Sequence, residues 1–474
     1  MLTMSDILEA LTGVRPEKAS LIVSEASIDS RKVIPAALFV AIPGEKTDGH
    51  LYVGAAFERG ASLALVQEDL SGQFAQIDIR GGKLPEPFEL PDGPFCLRVD
   101  NSVEALQKTA RFWRRRMDVR VIGITGSVGK STTKELTSSV LRQRYRTLKN
   151  QGNLNNEIGL PLTLLGLNHS HQRAVLEMGF YVPGEIAFLC DLGLPSVGVI
   201  TNIGTVHAER AGSQEAIARG KAELVEALPA DPEGVAILNY DDPLVHQMAE
   251  KTQARVLFYG LSPEADLWAD HVEGQGLDGI RFRLHYCNEV LHLRVPLIGR
   301  HSVHTALRAA AVGLVEDLSW QEIIAGLQQG HMQLRLAAVH TQNGALILDD
   351  TYNASPQSTL AALNLLEEME GRRIAVLGDM LELGLYERQG HEKVGYRAAE
   401  VCNQLVAVGP RAKMIVEAAQ RSRKRNLELD WFETVPEAIV FLQDRLKEGD
   451  VVLVKGSRGL RMDQIVTALE MTND

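Results

Sequence analysis

Short apolar runs recur along the chain and alternate with stretches of helical spacing. At the start, the runs 37–42 (ALFVAI) and 61–67 (ASLALVQ) flank a helical stretch at 52–60 (YVGAAFERG), which predicts a small α/β unit. The opening MLTMSDILEALTGV reads as an amphipathic first helix. Residues 81–95 (GGKLPEPFELPDGPF) carry prolines and no period, and predict a loop at a domain edge. Beyond residue 100 the pattern sharpens: VRVIGIT (119–125) is a buried strand, a glycine loop follows, and 131–145 has helical spacing at Leu136, Val140 and Leu141. The runs 173–179 and 196–204 then predict parallel strands whose ends meet that loop. A polar, glycine-containing stretch at 327–335 (LQQGHMQLR) marks a second boundary. After it, strand runs at 345–350, 372–379, 404–409 and 450–456, separated by helical stretches, predict a third, doubly wound α/β unit. The expected domains are 1–98, 99–330 and 331–474.

At 474 residues the chain has room for these units, each with its own core. Hydrophobic residues make up 45% and charged residues 23%, an ordinary globular composition. The net charge of −12 repels phosphate backbones and anionic lipid, so no nucleic-acid partner is expected. One basic run, Arg111, Arg114, Arg115, Arg116 and Arg120 around Phe112 and Trp113, predicts a solvated helix face with the two aromatics turned inward. The four cysteines form no CxxC pair, and no apolar stretch is long enough to span a membrane. A cytoplasmic protein without membrane insertion is expected.

The loop 123–133 (GITGSVGKSTT) poses the chemical question. The common phosphate-loop pattern G-x-x-x-x-G-K-[ST] puts a glycine five residues before Gly129, where this chain has Ile124. A strand–glycine loop–helix junction aims backbone N–H groups and the helix dipole at phosphate. In that context Lys130 lies on the β/γ-phosphates and Ser131 on a magnesium ion. Beginning at Gly126, the loop is shorter than in ordinary GTPases or kinases, and no N-K-x-D guanine-reading motif follows. Glu177, at a strand end, is a candidate oxygen ligand for the metal. Asn202, His207 and Lys221 sit in the following loop and helix.

The order of motifs resembles the Mur ligases, the ATP-dependent amide ligases of peptidoglycan synthesis. The segments that carry the likeness are DSR (29–31), LFVAIPGEKTDGH (38–50), TGSVGKST (125–132), GNLNNEIGLPLTLL (152–165) and LEMGFYVPGEI (176–186). It continues through TNIGTVHAE (201–209), ARGKAEL (218–224), DDTYNASP (349–356), LGDMLELG (377–384) and LVKGSRG (453–459). The short loop starting at Gly126 is that family's form. Within the family, the sister branch's D-N-P-R signature is absent, and the third-domain motifs resemble the branch that adds a dipeptide.

The resemblance implies a three-domain α/β architecture: a small N-terminal domain for the UDP-linked substrate, a central P-loop ATPase-like parallel-sheet domain, and a C-terminal Rossmann-like domain for the incoming dipeptide. It implies ATP and two magnesium ions as cofactors, with UDP-MurNAc-tripeptide and D-alanyl-D-alanine as partners, in a monomer. Lys130, His207, Lys221 and Arg335 would be catalytic. Gly126, Ser127, Gly129, Lys130, Ser131, Thr132, Asn155, Asn202, His301, Arg335 and Asp350 would hold the nucleotide. Ser131, Glu177, His207 and Lys221, the last as a carbamate, would hold metal. Ser30, Arg31 and Asp48 would serve the UDP-linked substrate, and Asn353, Ser355, Glu382 and His391 would lie near the dipeptide. The chain departs from the family's G-x-H-N-x-x-N pattern: in GRHSVHTALRAAA, Ser302 and Thr305 occupy the two asparagine positions, and a hydroxyl reaches less far than an amide. Two alternatives stand beside this reading: a cousin ligase of the folylpolyglutamate type, and a nucleotide-binding regulator that has lost turnover.

Overall fold

The computed structural model describes residues 1–17, 19–44, 47–205, 208–329, 337–422 and 427–470. Three sheets follow one another along the chain. The first is five-stranded and parallel, in the order Ala26–Ser27, Leu38–Val40, Leu63–Val66, Phe95–Arg98, Gln76–Asp78. Helix Met4–Thr12, closed by a capping box between Thr3 and Asp6, buries Met4, Ile7 and Leu8 against it.

The central sheet has nine strands. Arg120–Thr125 lies inside it, third from one edge, paired in parallel with Arg173–Glu177 on one side and Val197–Ile200 on the other, as the apolar runs predict. Side chains alternate between two cores. Val121 faces one, with helices Ser102–Arg115 and Gln214–Glu226; Ile122 and Ile124 face the other, with helices Lys130–Leu141 and Val303–Val315. Each fully buried aliphatic side chain contributes roughly 1.5–3 kcal/mol. The first core also takes in Leu38, Val40, Leu63 and Leu65, so the N-terminal sheet and the central sheet share one apolar layer. An antiparallel hairpin, Ile280–Tyr286 with Glu289–Val295, extends the far edge beyond Leu267–Gly274.

The third sheet has six strands, parallel except for Ala337–His340 at its edge. Helices cover both faces, the doubly wound arrangement that its alternating strands and helices predict.

The basic run corrects one expectation. Trp113 is buried, but Phe112 is half-buried with the Arg116 guanidinium 4.9 Å from its ring centre. Arg114 is buried and donates to the carbonyls of Gly193, Met117 and Val119 at 2.8–3.0 Å. Burial lowers its pKa. It ties the end of helix Ser102–Arg115 to the central sheet, where backbone acceptors replace the water that an arginine loses on burial.

Candidate active site

The phosphate loop is built by close approach and clamping. At Gly126 (φ +143°) an added Cβ would fall 1.8 Å from Thr201 Oγ1, and Gly129 (φ +84°) is the left-handed N-cap of helix Lys130–Leu141, so both positions need glycine. Asn202 holds the loop from below: its amide accepts from Val128 N–H and donates to Val128 C=O, each at 3.0 Å. Its backbone carbonyl takes Ser127 N–H, and Ser127 Oγ accepts from Gly204 N–H. Asn202 is thus spent on the loop itself. Lys130 curls back over the loop, donating to Gly126 C=O at 2.8 Å and Ser127 C=O at 3.2 Å.

Glu177 ends the neighbouring strand, 2% exposed. Asn155 donates to its Oε1 at 2.9 Å, while Oε2 is buried with no hydrogen-bond partner. The buried ammonium of Lys134, one turn beyond Lys130, stands 3.7 Å from Oε2. A buried carboxylate oxygen left without a donor is an opening for a cation, so Glu177 fits a magnesium ligand. On the opposite side of the loop Lys221, 1% exposed, donates to Gly126 C=O at 3.0 Å and lies 4.7 Å from the centre of the Phe180 ring. Burial, and then the charge of Lys130, push its pKa well below the ordinary lysine value. The amine is held toward its neutral, nucleophilic form.

A cleft of about 240 Å³ opens between this loop and the C-terminal sheet. Ser127 to Thr132, Glu177, His301, Ser302, Thr305, Asp350, Asn353, Ser355 and Lys455 line it. Asp350 and Lys455 end adjacent parallel strands in register, and the buried Lys455 ammonium donates to Asp350 Oδ2 at 2.7 Å and Asn353 C=O at 2.8 Å. Ser355 caps helix Pro356–Glu368, its hydroxyl accepting from Ser358 N–H, so that oxygen is already committed. Ser302 donates to Ile298 C=O at 2.7 Å, and Thr305 accepts from Arg308 at 2.8 Å.

Other expected residues lie apart from this cleft. Ser30 and Arg31 form a 3-10 turn after Asp29, and Asp48 caps a second turn; both turns pack on helix Val53–Glu58 in the first domain. Asp48 accepts from the buried His50 ring at 2.6 Å, whose other nitrogen accepts from Gln67 N–H. Glu382 has φ +63° and its carbonyl accepts from Glu209 N–H, where the C-terminal domain meets helix Ala208–Ala211. His391 corrects an expectation. It is fully buried, with Nδ1 donating to Glu387 C=O and Nε2 accepting from Met380 N–H, so it anchors the turn after Gly378 and presents no face to a ligand. His207 and Arg335 lie outside the described residues. Lys134, Lys455 and Arg308 escaped the sequence motifs, because lone cations in helices and strand ends ordinarily read as solvated; the only signal was the GKSTTK and LVKGSRG settings of the two lysines.

Three matches follow the order of the three sheets: the Mur ligase family catalytic domain over residues 23–82, the Mur ligase middle domain over 124–313, and the Mur ligase glutamate ligase domain over 334–458. The UDP-N-acetylmuramoyl-tripeptide–D-alanyl-D-alanine ligase of Bacillus subtilis is 33% identical, with 98% of each chain covered. The chain belongs to the Mur ligase family. Among solved structures, MurF from Acinetobacter baumannii matches with a TM-score of 0.82 at 30% identity, covering 98% of this chain and 97% of that one. MurF ligase from Thermotoga maritima, solved in complex with ADP, matches with a TM-score of 0.76 at 26% identity, covering 94% and 97%. As a Mur ligase, the chain carries the three-domain α/β architecture that its motifs imply.

Proposed function

We propose that this Mur ligase joins D-alanyl-D-alanine to the terminal carboxylate of UDP-MurNAc-tripeptide, converting ATP to ADP and phosphate. The observation that carries the reading is one cleft lined by the phosphate loop, by Glu177 with its buried, unbonded Oε2 and by the ends of the C-terminal strands, with the depressed lysine Lys221 bonded to the loop at Gly126 C=O. Residues 1–98 take the UDP-linked substrate, 99–330 the ATP, and 331–474 the dipeptide.

ATP lies with its phosphates on Gly126 to Thr132, where the N-terminus of helix Lys130–Leu141 supplies N–H donors. Lys130 exchanges the loop carbonyls for phosphate oxygens. Ser131, Glu177, His207 and a carbamate on Lys221 are the groups that would hold two magnesium ions, which when bound supply Lewis-acid neutralisation of the transferring phosphoryl group. A neutral Lys221 amine attacks CO₂ and releases one proton, giving hard carboxylate oxygens where an ammonium would repel metal. The tripeptide carboxylate attacks the γ-phosphorus and ADP leaves, forming an acyl phosphate. The amine of D-alanyl-D-alanine then attacks the acyl carbon, the amide forms, a proton is lost from nitrogen, and phosphate departs with the former carboxylate oxygen. The two facing domains exclude water that would hydrolyse the acyl phosphate. Arg335 serves the γ-phosphate and Asp350, steadied by Lys455, the ribose.

ATP and a nucleotide-linked substrate suit a cytoplasmic enzyme, and no helix among the described residues is long and apolar enough to cross a membrane. The test is phosphate release with ATP, magnesium and UDP-MurNAc-tripeptide, with and without the dipeptide. Release that depends on D-alanyl-D-alanine supports the reading; equal release without it, or silence with every tripeptide, overturns it.

A further inference from the structure

Helix Val303–Val315 runs behind the phosphate loop, and Arg308 projects from it into the protein, 3% exposed. Its guanidinium donates to three neutral oxygens: Nε to Thr133 Oγ1 at 2.9 Å, Nη1 to Tyr259 Oη at 3.2 Å and Nη2 to Thr305 Oγ1 at 2.8 Å. Among the described residues no carboxylate forms an ion pair with it. Taking an ion out of water without a counter-charge costs several kcal/mol, so packing alone does not explain a charge here; methionine would fill the space without that cost.

Both ends of the guanidinium lead to the cleft. Thr133 passes the contact on, its hydroxyl donating to Gly129 C=O at 2.7 Å. A Cβ on Gly129 would lie 3.2 Å from Nη2, so the charge sits directly against the back of the loop. At the other end Thr305 lines the cleft and stands where the family pattern has an asparagine. Thr305 accepts from Arg308, and among the described residues no acceptor takes the proton of its hydroxyl, which leaves that proton for a ring nitrogen of a base.

We propose that Arg308 is a positioning residue of the nucleotide site. It braces the phosphate loop through Thr133, fixes the Thr305 hydroxyl on the wall of the cleft, and carries a buried charge that the polyphosphate compensates. This rests on the nucleotide reading above. A lysine at 308 keeps the charge but cannot span three oxygens.

The test is calorimetric binding of ADP with magnesium to the intact chain, for the parent, Arg308→Met and Arg308→Lys, with thermal melts alongside. Arg308→Met should weaken ADP about tenfold or more, Arg308→Lys by about threefold. KM for ATP should rise in step while KM for the UDP-linked tripeptide stays within about twofold. The nucleotide-free protein should melt no lower in Arg308→Met, because an uncompensated charge has gone, while its ADP-induced shift shrinks. A merely structural arginine gives the opposite pattern: a lower melting point without nucleotide and unchanged ADP affinity in the folded protein, which overturns the proposal. Should Arg308→Met fail to fold, parent-like ADP affinity in Arg308→Lys overturns it equally. Failure of the parent itself to bind ADP refutes the nucleotide reading instead, and the role of Arg308 falls with it.

Discussion

Lys221 sits in surroundings far from those of an ordinary lysine. An ammonium there has one carbonyl, one aromatic face and a second cation for company, so the neutral amine is favoured. Lys221→Ala should lower dipeptide-dependent phosphate release by about a thousandfold, and a small carboxylic acid added to the buffer should restore part of it, because acid oxygens refill the place of the carbamate. Rates that stay at the parent level, or a loss that no acid repairs, count against the carbamate. Arg31 offers a second test, in the first domain. Its two-pronged hold, the leading influence, brings the Asp29 pKa to about 2 from the ordinary 3.8. The folded value lies below the unfolded one, so the contribution to stability is present above 3.8 and is lost as pH falls toward about 2. In Arg31→Ala the Asp29 carboxyl carbon, followed by NMR, should titrate nearer 3.8; a midpoint still at about 2 removes Arg31 as the cause.

Helix Pro356–Glu368 shows how a motif residue divides between fold and function. Ser355 was expected beside the dipeptide, and it does line the cleft, yet its hydroxyl is the helix cap. Ser355→Ala should therefore destabilise the C-terminal domain by about 1 kcal/mol, read as a lower denaturant midpoint. A large rise in KM for the dipeptide with unchanged stability would reverse that assignment. The central strands and the phosphate loop were legible because parallel strands buried on both faces read as unbroken apolar runs, and a glycine loop before GKST has few other uses. The hairpin 280–295 was not. The strand it joins, Leu267–Gly274, shifts register between Asp270 and Glu273, and His271 takes φ +46°, so the period of two is broken there. Arg114 and His391 escaped for a related reason. Their partners are backbone groups, the carbonyls of Met117, Val119 and Gly193 for Arg114 and Glu387 C=O and Met380 N–H for His391, and no side-chain pattern in the sequence marks a backbone group as turned toward a buried side chain.

Contacts on two flanks seat the C-terminal domain against the central one. Arg300 pairs with Glu368 at 3.2 Å across the boundary, and burial raises the Glu368 pKa where its carboxylate packs on Gly274. On the other flank a Cβ at Gly384 (φ +52°) would meet the Glu209 backbone at 2.9 Å. Gly384→Val should hold the two domains apart there and lower kcat at least about tenfold, while ADP binding to the phosphate loop stays within about twofold. Unchanged kcat would show that this contact is dispensable. The decisive measurement follows the oxygen. With ¹⁸O in the terminal carboxylate of UDP-MurNAc-tripeptide, and with ATP, magnesium and D-alanyl-D-alanine present, mass spectrometry should find UDP-MurNAc-pentapeptide and released phosphate carrying one ¹⁸O. Phosphate without the label, or ATP turnover with no pentapeptide, would contradict the acyl-phosphate ligase described for this cleft.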